Sequence, residues 1–156
     1  MNVMTDTDRI EKQVVLRAPR SAVWRAISDA KAFGEWFGVD LDGAIAPGVT
    51  VRGRVTNKGY EHVPFAMTVE TVEPERQLAW RWHPDAPIEP ELDYSSEPTT
   101  LVTFTLDDVP EGTMLTVVES GFGAIHPSRR TASYRGNDEG WTGQMENIAR
   151  YLATSS

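Results

Sequence analysis

The stretch from Asn137 to Leu152, NDEGWTGQMENIARYL, constrains the fold more than any other part of the chain. Trp141, Met145, Ile148 and Leu152 recur at steps of four, three and four, which lines one face of an α-helix. A helix of that length reaches about 24 Å, enough to cross a small sheet from edge to edge. Asn137 or Asp138 is placed to cap its start, and Asp138 and Glu139 put negative charge at the positive end of its dipole. Gly140 and Gly143 sit inside it, each costing about 1 kcal/mol relative to alanine. Either Gly140 belongs to a frayed start, or the pair marks close packing or empty space beside Trp141.

The rest of the chain reads mostly as strands. Ile10, Val14 and Leu16 fall on one side of an alternating segment from Arg9 to Leu16. Ala18-Pro19 then opens a helix with Val23 and Ile27 on its inner face. Asp29 reads as the cap of a second short helix, in which Phe33, Trp36 and Phe37 share a face and Gly34 and Gly38 act as punctuation. Five alternating segments follow: Val49 to Val55, Pro64 to Val72, Gln77 to His83, Thr100 to Leu106 and Thr113 to Ser120. They are separated by turn signals at Asn57-Lys58-Gly59, Glu73-Pro74-Glu75 and Pro110-Glu111-Gly112. Pro84 to Pro98 interrupts this run with four prolines and five acidic residues, and reads as a long loop inside the domain. Such loops are often functional, and a mobile solvated excursion is the alternative. Gly121 to Gly136 reads as a connection, with room for a short helical piece at Ser128 to Tyr134.

The predicted class is α+β. One strand, two short helices and five antiparallel strands are followed by the one helix long enough to cover an open sheet face. At 156 residues the chain is the size of one domain, assigned to residues 9–153 between a flexible N-terminus (1–8) and a short tail (154–156). Its net charge of −8, without a basic run, argues against nucleic acid and anionic membrane as partners. The absence of cysteine excludes disulfides, thiol catalysis and thiolate metal sites. MNVMTDTDRIEK contains no apolar signal core, and no segment has the 18 or so apolar residues of a membrane span. The expectation is a cytoplasmic protein, monomer or homodimer. His62, His83 and His126 show no metal-ligand spacing, and no phosphate-binding glycine motif occurs, so neither metal nor cofactor is expected.

Six segments carry a family resemblance: APRSAVWRAISD (18–29), EWFG (35–38), TVETVEPERQLAWRW (68–82), LVTFTL (101–106), TMLTVVESGF (113–122) and GWTGQMENIARYL (140–152). In this order they resemble the activator of Hsp90 ATPase homologue family, within the START-like, Bet v 1-like superfamily of helix-grip proteins. The resemblance implies a curved antiparallel sheet wrapped around the C-terminal helix, with an apolar cavity between them. It also implies a small hydrophobic or aromatic ligand in that cavity. Two other roles stay open: an enzyme of the cyclase or hydrolase type using the same cavity, and a partner of an Hsp90-type chaperone.

Glu119 continues the inner face of Leu115 and Val117, so its strand aims a carboxylate at the interior. A buried carboxylate must be paired or hydrogen-bonded. Either it anchors a ligand or serves as acid or base, with His62 or Tyr94 assisting, or it pairs with an arginine such as Arg54 or Arg81. Aromatic side chains on predicted inner faces are candidates for cavity walls as well as for core. Trp36, Phe37, Met67, Trp80, Trp82, Phe104, Val117, Glu119, Trp141 and Met145 form the expected ligand-binding set.

Overall fold

The structure is a computed structural model that describes residues 8–88 and 91–154. β1 (Arg9–Leu16) leads into α1 (Arg20–Ser28) and α2 (Ala30–Phe37). Six strands follow: β2 (Val39–Leu41), β3 (Thr50–Val55), β4 (Pro64–Glu73), β5 (Gln77–Trp82), β6 (Thr100–Val109) and β7 (Gly112–Ser120). A short 3₁₀ turn (Phe122–Ala124) precedes α3 (Pro127–Thr154). All strand pairs are antiparallel, in the order β1-β7-β6-β5-β4-β3-β2. The first strand thus closes against the last, and the two short helices carry the chain from that edge to the opposite one.

The two helices are separated by local chemistry. Asp29 ends α1 in an extended conformation and accepts a hydrogen bond from the Ala32 N–H at 3.0 Å, which caps α2. Gly38 ends α2 with a φ of 95°, a left-handed conformation that suits glycine. Gly34 is fixed by space: a Cβ there would lie 2.2 Å from the Val39 carbonyl oxygen. Val39 to Leu41 then pairs with β3, adding a sixth strand after the helices where five were expected. Three residues are too few for an alternating pattern to register.

Alternation sends one row of each strand inward: Val51 of β3, Phe65, Met67 and Val69 of β4, Leu78 and Trp80 of β5, Val102, Phe104 and Leu106 of β6, and Leu115 and Val117 of β7. The sheet curves around α3, which contributes Trp141, Met145 and Ile148 to the same core. An extra residue in β4 between Val69 and Thr71 shifts its register against β5 and increases the local twist.

The C-terminal helix differs most from its sequence reading. It begins at Pro127 and runs for 28 residues, so Asn137 and Asp138 lie inside it and cap nothing. The start signal is His126-Pro127-Ser128, with proline in the first helical position and the His126 ring accepting the Ser128 N–H at 3.1 Å. The inner face of the added turns is polar: Arg129, Ser133 and Asn137 follow one another at intervals of four. A search for apolar periodicity passes over such a face. Gly136, Gly140 and Gly143 face open space, since a Cβ at any of them would meet nothing within 4 Å. Gly136 and Gly140 are exposed, so the open space beside them is solvent, and these glycines mark neither tight packing nor a void under the helix.

Arg129 also orders the long loop. Its guanidinium pairs with the buried Asp85 at 2.7 Å and with Glu97 at 2.8 Å. Tyr94 donates its hydroxyl to the Asp85 carbonyl at 2.8 Å, and the His83 ring meets the Glu97 carbonyl at 3.1 Å. Over its described residues, the proline-rich excursion is fastened to the start of α3.

Candidate functional site

Glu119 is the last inward residue of β7 and is fully buried. Its neighbours follow from register and helical pitch. β6 places Val102 opposite Glu119, which leaves Thr100 as the next inward residue toward the same end. β5 contributes Trp82, which pairs with Thr100. On α3, Asn137 and Trp141 are four residues apart and share the face that looks down on β7.

All four neighbours donate to the carboxylate. Trp141 Nε1 lies 2.8 Å from Oε1, Trp82 Nε1 2.7 Å from Oε2, and Thr100 Oγ1 2.6 Å from Oε2. Asn137 Nδ2 reaches both oxygens, at 2.9 and 3.1 Å. Five hydrogen bonds from neutral groups replace the water that a buried carboxylate gives up. The arginine pairing considered for Glu119 does not occur. Strand alternation turns Arg54 and Arg81 to the outer face of the sheet, where Arg81 meets Glu70.

Beside this cage opens a cavity of about 810 Å³ at the end of the sheet. Phe37, Phe65 and Trp82 form its aromatic wall, with ring centroids 5.9 to 6.1 Å apart. Val63 and Ala86 extend the apolar lining, and α3 adds the amides of Asn137 and Gln144. Gln144 donates to the Phe37 carbonyl at 2.8 Å and so holds the end of α2 against α3. Arg52, Thr68 and Arg81 also border the space, although alternation places them on the outer face. The cavity therefore spills around the open end of the sheet. On its rim lies Asp93, whose carboxyl is held below the usual range by hydrogen bonds from the Ser95 backbone and side chain.

The ten expected ligand-binding residues divide between two places. Phe37 and Trp82 line the cavity. Trp36, Met67, Trp80, Phe104, Val117, Trp141 and Met145 are buried in the core beneath it, filling the space between sheet and helix. Glu119 lies between the two groups, in contact with the wall through Trp82 and Asn137. Of the residues named for acid–base roles, Tyr94 borders the cavity, while His62 is exposed outside it.

Sequence reading passed over Thr100, Asn137, Gln144 and Phe65. Phe65 and Thr100 carry a usable signal, because each extends an inward row already recognised, ahead of Met67 and Val102 respectively. Asn137 precedes Trp141 by one helical turn, but its capping propensity hid it. Gln144 offers no signal apart from its place beside Met145.

Among the described residues no helix is long and apolar enough to cross a membrane. A search of curated proteins finds no match. Solved structures with the same fold include protein MLL2253 from Mesorhizobium loti, with a TM-score of 0.72 and 24% identity over 95% of this chain and 98% of that one. The Aha1 dimer from Colwellia psychrerythraea, solved in solution, gives a TM-score of 0.70 at 16% identity over 95% and 98% of the two chains. DynU16, from the dynemicin biosynthetic locus, gives 0.72 at 27% identity over 96% of this chain, which matches only 48% of DynU16. Residues 17–153 match the family model of the activator of Hsp90 ATPase homolog 1-like proteins. With the helix-grip architecture in place around that match, the chain belongs to the activator of Hsp90 ATPase homolog 1-like family.

Proposed function

We propose that this protein binds a small apolar or aromatic molecule at the open end of the sheet. The observation that carries the reading is the cavity of about 810 Å³ with an aromatic wall of Phe37, Phe65 and Trp82 and two amides on α3. Small-molecule sites combine mostly apolar walls with a few placed polar groups, at volumes of about 300–1,000 Å³. The cage around Glu119 supports binding over acid–base chemistry. Both carboxylate oxygens are occupied by donors, and Glu119 itself does not line the cavity. The origin of DynU16 in a biosynthetic locus supports a small-molecule role as well.

Native mass spectrometry of the purified protein, together with tryptophan fluorescence against a library of aromatic and lipid compounds, tests this. A bound species or a saturable change in tryptophan emission is expected. Silence in both measurements would sink the reading. The family description supports a second reading, as a partner of an Hsp90-type chaperone. That reading requires the chaperone's ATPase rate to rise at micromolar protein. The dimer formed by the Colwellia relative supports a homodimer here, which light scattering in solution would decide.

A further inference from the structure

Glu119 is 0% exposed, and none of its hydrogen bonds comes from a cation. Among the described residues no Lys, Arg or His lies within ion-pair distance of it. Every contact is donated to its oxygens, which is the pattern of an ionised carboxylate. Two indoles, a hydroxyl and an amide thus hold a negative charge in place without cancelling it. In surroundings drier than water, such a charge acts over a longer distance than at the surface.

Two of the four donors are also cavity wall. Trp82 gives its N–H to Oε2 while its ring borders the open space. Donating that proton to an anion pushes electron density into the indole and makes its face a better seat for positive charge. Phe37 and Phe65 stand beside it. Two positive groups also border the cavity. Arg52 and Arg81 lie on the outer face of the sheet, away from the Trp82 ring, and Arg81 is neutralised by Glu70.

Resting on the reading of this cavity as a ligand site, we propose that its ligand is an organic cation. The ammonium group sits against Trp82, Phe37 and Phe65, in front of Glu119, and its apolar body fills the remaining space. The chain's net charge of −8 adds an attraction of the same sign at long range.

Phenyltrimethylammonium and tert-butylbenzene have the same shape and differ by one charge. Each is titrated into the wild-type protein, followed by tryptophan fluorescence, with benzenesulfonate as the anionic control. The cation is expected to bind at least tenfold more tightly than tert-butylbenzene, and benzenesulfonate more weakly than either. Trp82→Phe keeps a ring but removes the link to Glu119. It should weaken the cation three- to tenfold and leave tert-butylbenzene unchanged. Glu119→Gln should abolish the preference, and the wild-type comparison decides the matter even where that variant does not fold. Equal or tighter binding of tert-butylbenzene would overturn the charge assignment while leaving the cavity a ligand site. If these probes and the wider library all fail to bind, both proposals fall.

Discussion

The side-chain amide of Asn137 bridges both carboxylate oxygens of Glu119, at 2.9 and 3.1 Å, and so ties the N-terminal half of α3 to the last strand of the sheet. The bridge is part of a cage around a carboxylate that is itself fully buried. Asn137→Ala should therefore lower stability by about 1–3 kcal/mol, since hydrogen bonds to a charged group exceed ordinary ones. Urea unfolding of Asn137→Ala, Glu119→Gln and the double variant would give the coupling between them. A coupling above about 0.5 kcal/mol is expected for residues in direct contact, and strict additivity would show that the bridge is not maintained in solution.

Arg129 holds the acidic loop through Asp85, which is only 1% exposed. Removing one partner of a buried pair strands the other charge, at a cost of about 3–5 kcal/mol. Arg129→Met should lose stability of that order and speed hydrogen exchange over residues 91–99, where Glu97 and Tyr94 make their contacts. A loss below about 1 kcal/mol would mean that Asp85 reaches solvent.

Glycines in the same chain should respond in opposite directions. Gly140 faces open space within a helix, so Gly140→Ala is expected to add about 0.5–1 kcal/mol. Gly34→Ala, by contrast, drives a methyl group into the Val39 carbonyl 2.2 Å away and forces α2 and β2 apart. Thermal unfolding should show the first variant raised by about 2–4 °C and the second clearly lowered.

Tyr151, near the end of α3, has its phenol pushed up from the ordinary value of 10.0, first by burial and then by a hydrogen bond to Glu35. The folded pKa is raised, so the neutral phenol stabilises the fold fully below the unfolded value, and the effect fades as pH climbs through the folded one. Alkaline phenolate absorbance of the wild type minus that of Tyr151→Phe should isolate a midpoint above 10. Glu35→Gln should bring that midpoint down, and an unchanged midpoint would exclude the Glu35 contact.

Much of the architecture was legible because it rests on short-range rules. Period-two alternation marked β1 and β3 to β7. Asp29 and Gly38 marked the ends of α2 through capping chemistry that operates within a few residues. Trp141, Met145 and Ile148 marked the inner face of α3 through an apolar stripe. The ten-residue extension of α3 was hidden because its inner face is polar, and Gly136 and Asn137 favour ending a helix. What sustains it there is contact with residues far away in sequence, Asp85, Glu97 and Glu119.

By itself the sequence determined the α+β class, the inward direction of Glu119 and the identity of the family, since each follows from local pattern or from ordered motifs along the chain. Only the tertiary structure decided that Glu119 is held by two indoles, a hydroxyl and an amide rather than by an arginine. It also decided that the open space lies at the Phe37, Phe65 and Trp82 end, while Trp80, Phe104 and Met145 fill the centre. The reason is geometric. Which inward side chains meet is set by strand register and by how α3 lies on the sheet, and a cavity is what packing leaves unfilled.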